Sequence, residues 1–233
     1  MRPTDLIHNS WKPIFHKLYE SPLKDLNEVI LPMISYQPEP MNIFRVLAMP
    51  VNEVKVVLLG QDCYPTPGDA VGLSFVNGTE RVPASLRIIY EEILNSTGKG
   101  AVDIHSWESQ GIFLLNTALT VETGKPGSHI NYWRFFTEAL IKHLSSENPA
   151  IWILWGKVAQ KYKIFIKEPF VLQNYPDELL DNIPIKDDCN YVLEAPHPAS
   201  ETYSGGKAGF YGCNHFNMVN HILKAKGLKE IDW

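Results

Sequence analysis

The sequence predicts an α/β fold, organised as a single domain with a central four-stranded parallel sheet flanked by helices. Four short runs of β-branched and aliphatic residues alternate with longer segments whose apolar residues recur at helical spacing. This alternation is typical of parallel sheets with right-handed crossovers. The length of 233 residues suits one domain with a full core, so we expect a single domain over residues 1–233.

The predicted elements follow from this pattern in chain order. Residues 1–50 are expected to form a helical N-terminal part of the same domain, interrupted by prolines. The remaining elements are strands at 54–59, 112–115, 150–155 and 191–195, and helices after the predicted N-cap Ser85 and at 133–144, 157–166 and about 214–224. The polar, proline-containing segment 168–188 is predicted to be an excursion from the core.

Composition excludes several classes of protein. The longest apolar runs, VVLL and AIWILW, are too short to cross a bilayer, and the N-terminus lacks the apolar core of a secretion signal. We therefore expect a soluble, cytoplasmic protein with no membrane association. The net charge of −5 gives no sign of nucleic-acid binding, so any contact with DNA must come from a local patch.

Metal and cofactor sites are also not expected. Cys63, Cys189 and Cys213 form an odd set without a CxxC pair, which argues against a disulfide framework or a zinc ribbon. Cys213 has His215 and His221 nearby, but no fourth ligand has suitable spacing, so we predict no metal and no cofactor. The sequence contains neither GxxxxGK[ST] nor GxSxG, which leaves nucleotide hydrolysis and acyl transfer with little support.

Polar residues stand at the C-terminal ends of all four predicted strands. They are Asp62, Asn116, Gly156 with Lys157, and His197. In a parallel sheet these ends meet at one crevice, which is where ligands bind. Each of these residues could have a purely structural role, since an Asp can cap a turn and a lone His is more often structural. Four such roles would then have to coincide at the strand ends. With the flat rings of Tyr64 and Phe75 nearby, the set suits a planar, hydrogen-bonding ligand such as a nucleobase.

A series of short motifs makes the function more specific. In order along the chain they are GQDCYP at 60–65, VPASL at 82–86, LLNTALTV at 114–121, KPGSH at 125–129, LWG at 154–156, HPASET at 197–202 and GFYGCNHF at 209–216. Their order and content resemble the family 1 uracil-DNA glycosylases. The chain departs from the family where Cys63 and Pro65 replace a proline and a histidine. It also has three extra residues after His197, and the family's intercalating leucine has no counterpart by simple alignment.

The resemblance implies that uracil is flipped out of DNA and released by hydrolysis of its N-glycosidic bond, which starts base-excision repair. It assigns catalysis to Asp62, which stabilises the sugar cation and orients water, and to His197, which donates a hydrogen bond to uracil O2. It assigns substrate binding to Gln61, Tyr64, Phe75 and Asn116. Phe75 would stack on the base, Asn116 would bind its O4 and N3 edge, and Tyr64 would exclude the methyl group of thymine.

The same resemblance implies contacts with DNA and with protein partners. Pro83, Ser85, Ser128 and Ser200 would grip phosphates through hydroxyl and backbone N–H groups, which need no net positive charge. Tyr203 is our candidate for the missing wedge and Lys207 for a phosphate contact, although Tyr203 could instead pack the enlarged loop. The expected partners are single- or double-stranded uracil-containing DNA and a proteinaceous inhibitor that mimics DNA, and the expected state is a monomer.

Two other functions remain open from the sequence. The chain could be a DNA-binding or replication-complex subunit that keeps the fold without activity, although the presence of Asp62, Asn116 and His197 argues against this. It could also be a glycosylase for a modified pyrimidine, because the loop around Tyr64 is altered.

Overall fold

The computed structural model describes residues 3–19 and 31–233 of the chain. The strands are β1 (Tyr36–Gln37), β2 (Val56–Asp62), β3 (Ile112–Ala118), β4 (Val121–Glu122), β5 (Ile151–Trp155), β6 (Pro169–Leu172) and β7 (Asn190–Ala195). The α-helices are α1 (Lys12–Tyr19), α2 (Ala84–Thr97), α3 (Ile130–Glu147), α4 (Gly156–Gln160), α5 (Ser200–Ser204) and α6 (His215–Ala225).

Short 3₁₀ helices connect these elements, mainly before the first strand of the central sheet. They are Pro3–Leu6, Asn9–Trp11, Leu31–Met33, Pro40–Asn42, Arg45–Ala48, Val51–Glu53, Ile104–Ser106, Glu108–Gln110, Lys161–Phe165 and Asp177–Asn182. Within residues 3–19 and 31–50 the chain forms helix α1 and several 3₁₀ helices, together with one strand. Strand β1 pairs antiparallel with β4, so Tyr36 lies opposite Glu122 and this part is tied to the chain beyond β3. The parts of the prediction that cover residues 1–2 and 20–30 lie outside the described residues.

A parallel sheet with the order β3-β2-β5-β7-β6 forms the centre of the fold. Its inner strands are continuous apolar runs, as expected for strands that are covered on both faces. From β2 the chain moves to β3 on one side and later returns to β5 on the other. The direction of winding therefore changes beside β2, and a crevice for ligands is expected at the C-terminal end of that strand.

The α/β class is confirmed, but the sheet has five strands where the sequence predicted four. The fifth, β6, lies inside the segment predicted to be an excursion and pairs with β7 at the edge of the sheet. It begins with Pro169, a residue that a sheet tolerates at a strand's start or at an edge. Three of its four residues are at least partly exposed, so it lacks the buried run by which the other strands were found.

The start of α2 also differs from the prediction. The N-cap position is Pro83, with φ −61° and ψ 152°, and its side chain makes no capping hydrogen bond. Ser85, predicted as the cap, lies inside the first turn and is buried. Ser85 instead lines the crevice at the C-terminal end of β2.

Several other features of the described residues bear on the class of protein. No helix in residues 3–19 or 31–233 combines the length and the apolar character needed to cross a bilayer. Cys63, Cys189 and Cys213 are all free thiols. Within the same residues no three His, Cys, Asp or Glu side chains gather in an arrangement that could hold a metal ion.

Candidate active site

A small pocket of about 230 Å³ opens at the C-terminal ends of the central strands. This volume is below the range of pockets for drug-sized ligands, and it suits a single planar ring. It lies beside β2 at the edge predicted from the winding of the sheet. Its lining residues are Gly60, Gln61, Asp62, Cys63, Tyr64, Pro65, Phe75, Ser85, Asn116 and His197.

Asp62 is the last residue of β2, and its carboxylate is held from two sides. Oδ2 accepts a hydrogen bond from the backbone N–H of Gly127 at 2.5 Å, and Oδ1 accepts one from Gln61 Nε2 at 3.3 Å. Burial raises the pKa of Asp62, and these two donors oppose the shift. The result is an oriented carboxylate in a partly desolvated setting, where its field acts strongly on a nearby positive charge.

His197 follows β7, and its surroundings favour a neutral imidazole with the proton on one ring nitrogen. Its Nδ1 accepts a hydrogen bond from the backbone N–H of Ala199 at 3.2 Å, so the ring proton is on Nε2. Burial lowers the pKa of His197, which favours the neutral ring. The ring can approach β5 closely because Gly156 lacks a side chain: a Cβ there would lie 2.9 Å from His197 Cβ. His197 can therefore donate a hydrogen bond into the pocket without carrying charge.

Asn116 lies inside β3, opposite Gly60 of β2, and its side chain is buried. A Cβ at Gly60 would lie 2.4 Å from Asn116 Oδ1, so the amide fits only because that residue is glycine. On its other side Asn116 Nδ2 donates to Cys63 Sγ at 3.7 Å. Burial and the charge of Asp62 raise the pKa of the Cys63 thiol to about 12, so Cys63 is a neutral packing partner and not a nucleophile.

Two aromatic rings form the apolar walls of the pocket. Phe75 stacks on His197 with ring centroids 5.9 Å apart and meets Trp155 edge-on at 5.7 Å. Its backbone has φ 61°, a conformation that is rare for a bulky residue and that often marks functional sites. Tyr64 donates from its hydroxyl to the backbone carbonyl of Phe75 at 3.2 Å, which holds the Tyr64 ring in place relative to the backbone of Phe75.

The predicted DNA-contacting residues differ in which of their donors are already used in hydrogen bonds within the chain. Pro83 and Ser85 are at the start of α2, and Ser85 lines the pocket. The Ser128 oxygen accepts from the backbone N–H of Glu122 at 2.9 Å, which leaves its own proton available to donate. By contrast, Ser200 uses both its hydroxyl, at 2.5 Å, and its backbone N–H, at 2.9 Å, on the carbonyl of His197, so these donors stabilise the turn that carries the imidazole.

The loop after His197 contains the other two predicted residues. The short helix α5 places Tyr203 outward with 89% of its surface exposed. Lys207 follows the glycine pair 205–206 and is also exposed. Glu201, the fifth residue of the HPASET segment, is buried, and the exposed aromatic side chain of this loop is that of Tyr203.

Other residues of the site were missed or misplaced from sequence. Gly127, which holds Asp62, is part of the quoted KPGSH motif, but a backbone donor has no signature in the side-chain pattern. Lys157, placed at the crevice by the strand-end argument, is exposed on α4 and does not line the pocket.

Comparison with known proteins agrees with these observations. A sequence model of the uracil DNA glycosylase superfamily matches residues 48–224. A uracil-DNA glycosylase from Fusobacterium nucleatum is 38% identical, over 97% of this chain and 96% of the relative. One from Streptococcus mutans is 35% identical, over 89% of this chain and 88% of the relative.

Solved structures show the same fold. The crystal structure of mimivirus uracil-DNA glycosylase superposes with a TM-score of 0.79 at 24% identity, covering 100% of this chain and 89% of that chain. A variant of the mimivirus protein in complex with UGI gives a TM-score of 0.81 at 23% identity, covering 100% and 91%. With the family match over most of the chain and near-full-length relatives above 30% identity, the chain belongs to the uracil-DNA glycosylase superfamily.

Proposed function

We propose that the Asp62 pocket is where this chain carries out the uracil-DNA N-glycosylase reaction of its family. The observation that carries the proposal is the pairing of an oriented carboxylate with a neutral, donating imidazole around a space for one ring. These are the groups needed at the two ends of a breaking glycosidic bond. A DNA-binding subunit without activity has no need of a partly desolvated carboxylate at this point.

Cleavage of the glycosidic bond separates charge, and Asp62 and His197 act on opposite ends of that bond. As the bond between the sugar C1′ and uracil N1 breaks, positive charge develops on the sugar and negative charge on the base. The Asp62 carboxylate stabilises the sugar cation and orients the water that attacks C1′, while His197 Nε2 donates to uracil O2. Water supplies a hydroxyl to the sugar and a proton to the solution or to the departing uracil anion. The products are free uracil and an abasic site.

Selection of uracil follows from the walls of the pocket. Phe75 stacks on the extruded base, and Asn116 hydrogen-bonds its O4 and N3 edge. Tyr64, fixed by its bond to the Phe75 carbonyl, occupies the space beside C5 and blocks the thymine methyl. A missing methyl alone provides only about 1–3 kcal/mol, so a rigid wall is needed for strong discrimination. Gln61 supports O2 through its backbone and steadies Asp62 through its side chain.

The DNA backbone is held around the rim. Pro83 and Ser85 at the start of α2 and Ser128 before α3 contact phosphates, Ser200 acts through the turn that carries His197, and Lys207 adds one positive charge. The exposed ring of Tyr203 enters the base stack where uracil has left it. Neutral donors on this rim reconcile DNA binding with the net charge of −5.

The partners are part of the same proposal. The substrate is single- or double-stranded DNA that contains uracil, and the enzyme works as a cytoplasmic monomer without a cofactor. Since a mimivirus relative with this fold forms a complex with UGI, a proteinaceous inhibitor that mimics DNA is expected to occupy the same face.

A cleavage assay with four substrates tests the proposed function. Purified protein is incubated with oligonucleotides that carry a single uracil, thymine, cytosine or 5-hydroxymethyluracil, and alkali then cleaves abasic sites. Cleavage at uracil alone is expected. Preferential cleavage at 5-hydroxymethyluracil would instead favour a modified-pyrimidine glycosylase, and cleavage of none would favour a DNA-binding subunit.

A further inference from the structure

A buried carboxylate with no part in the proposed chemistry lies beneath the loop that follows His197. Glu201 has only 3% of its surface exposed. Its Oε1 accepts from the backbone N–H groups of Phe210 at 2.5 Å and Tyr211 at 3.2 Å. Its Oε2 accepts from the N–H of Ala208 at 2.9 Å and from the Ser204 hydroxyl at 3.3 Å. One side chain thus joins the start of the loop to its end.

Apart from Glu201, the loop is held by a hydrogen bond from the Lys207 N–H to Ser204 Oγ at 3.0 Å and by the burial of Phe210. Residues 205–214 form no helix or strand, and Gly205, Gly206 and Gly209 all have positive φ values of 63°, 81° and 92°. Tyr203 stands almost fully exposed at the start of this segment. A glycine-rich turn that carries an exposed aromatic ring would sample many conformations, and ordering it on DNA would reduce the affinity.

A second buried carboxylate secures the far end of the segment. Glu92 of α2 is 1% exposed and accepts from the backbone N–H groups of Gly212 at 3.0 Å and Asn214 at 3.4 Å. Its contacts begin one residue after those of Glu201 end. Glu92 therefore fixes where the chain re-enters the core, whereas Glu201 alone reaches back to Ala208, next to Lys207.

We propose that Glu201 is a positioning residue for duplex DNA: its carboxylate closes the 201–211 loop into the shape that presents Tyr203 and Lys207. The inference rests on the proposed function and specifies how the site favours duplex substrates. An apolar residue would fill this space without burying a charge, so mere packing does not explain a carboxylate there. The four hydrogen-bond donors around Glu201 do explain the carboxylate, because through them one side chain connects the two ends of the loop.

The ionisation of Glu201 is consistent with this role. Burial by itself raises the pKa of Glu201, but the three backbone donors and the Ser204 hydroxyl outweigh it, so that the pKa lies below its usual value. The carboxylate is therefore charged at neutral pH, which is the form that accepts all four hydrogen bonds.

Glu201→Gln tests the proposal with little change in shape. The glutamine carbonyl can keep the bonds to Phe210 and Tyr211, but its NH₂ group faces the N–H of Ala208 and cannot accept from it. Amide hydrogen exchange should accelerate at Ala208 much more than at Phe210. Single-turnover excision from duplex uracil should fall about tenfold, the size of one lost charge-assisted hydrogen bond, while excision from single-stranded uracil stays within about twofold.

Asn190 offers a matched control at the opposite end of β7 from His197. It is also buried and also makes four hydrogen bonds, to Ala150 N, Trp152 Nε1, Ser145 O and Lys167 O. Asn190→Ala should lower the melting temperature but leave the ratio of duplex to single-strand rates unchanged. An equal fall of this ratio in both variants, or an equal loss on both substrates in Glu201→Gln, would overturn the role of Glu201.

Exchange in the unsubstituted protein provides a readout that depends on neither variant nor activity. The amides of Ala208, Phe210 and Tyr211 should be protected although they lie outside helices and strands, and free exchange at all three would also overturn the proposal. If the unsubstituted protein cleaves no uracil substrate while these amides are protected, the proposed function fails and the loop closure stands. If the unsubstituted protein cleaves uracil substrates while these amides exchange freely, the proposed function stands and the role of Glu201 fails.

Discussion

Two glycines, which have no side chain, determine how closely the reactive residues approach the base. Gly60 leaves room for the Asn116 amide, and Gly156, at φ 86°, leaves room for His197. An alanine at either position would displace a group that has to meet the substrate within hydrogen-bonding distance. Preorganisation at this scale matters because a hydrogen bond aimed at developing charge loses much of its value when displaced.

Substitution of His197 by alanine removes the donor to uracil O2. Because the negative charge on O2 develops only in the transition state, the single-turnover rate should fall on the order of 10²- to 10³-fold, roughly 2.7–4 kcal/mol, with little change in DNA binding. Rapid-quench assays and binding titrations measure the two quantities. His8→Ala, at an exposed histidine away from the pocket, is the control. A near-normal rate for His197→Ala would remove this residue from the mechanism.

Substitutions at two walls of the pocket should each admit a different additional base. Tyr64→Ala opens the space beside C5 and should admit thymine at a low rate, because only a steric barrier excluded it. Asn116→Asp changes the donor and acceptor pattern at the base edge and should admit cytosine. Excision is measured on uracil, thymine and cytosine substrates for each variant. Variants that keep uracil activity but gain neither base would show that these side chains are wrongly placed.

At the scale of single elements, the loop after His197 shows how the chain departs from its family. In this loop the one-turn helix α5 is followed by the glycine pair 205–206, and Tyr203 is exposed whereas Glu201 is buried. Base–aromatic stacking is worth about 1–3 kcal/mol, enough for a tyrosine to oppose the return of the extruded base.

Tyr203→Ala and Lys207→Ala separate stacking from charge within this loop. Loss of the ring should reduce excision from duplex uracil much more than from single strands, where no stacked partner competes for the base. Loss of the lysine should weaken binding to both and reduce the salt dependence of binding. Rates on both substrates and titrations at several salt concentrations provide the measurements. Equal losses on both substrates for Tyr203→Ala would indicate that Tyr203 only packs the loop.

Sequence predicted the elements that carry a regular pattern and missed those defined by pairing alone. Strands β2, β3, β5 and β7 are buried apolar runs, and Asp62, Asn116 and His197 at the ends of three of them line one pocket, whereas Lys157 after β5 does not. Strand β6 has no such run, because it is an edge strand whose partner is more than a dozen residues away. Contacts such as Gly127 with Asp62 could not be predicted, since a backbone donor leaves no mark on residue type.

Across the whole molecule, buried histidines make the stability of the folded state depend on pH. Burial lowers the pKa of His129, His197 and His215, the last to about 3. His215 accepts from Trp155 Nε1 at 3.0 Å and meets Asn174 Oδ1 at 3.1 Å, so its neutral ring is part of the support behind Phe75. In the unfolded chain these rings titrate near pH 6.5.

The sign of the pH effect follows from these shifts. Since the folded pKa values are lower, the unfolded chain binds more protons below about pH 6.5, and stability decreases as the pH falls from there toward the folded values. In His215→Gln, the pH dependence of unfolding free energy between pH 6 and 5 should be less steep by about 1.4 kcal/mol per pH unit. Urea titrations across this range measure it, with His8→Gln as control. An unchanged slope would contradict the buried neutral state of His215.

The central claim, that the Asp62 carboxylate drives bond cleavage in this pocket, is tested most directly by single-turnover kinetics of Asp62→Asn on uracil-containing duplex DNA. The buried carboxylate of Asp69, which accepts from Thr79 Oγ1 at 2.8 Å outside the pocket, provides the control Asp69→Asn. Because Asp62 acts on charge that exists only in the transition state, its variant should lose on the order of 10²- to 10⁴-fold in rate and bind the DNA as tightly as before. Its melting temperature at pH 7 should not fall, since burial raises the pKa of Asp62 and the ionised form is disfavoured on folding. A rate for Asp62→Asn within about threefold of that for Asp69→Asn, far below the loss expected for a catalytic carboxylate, would contradict the account.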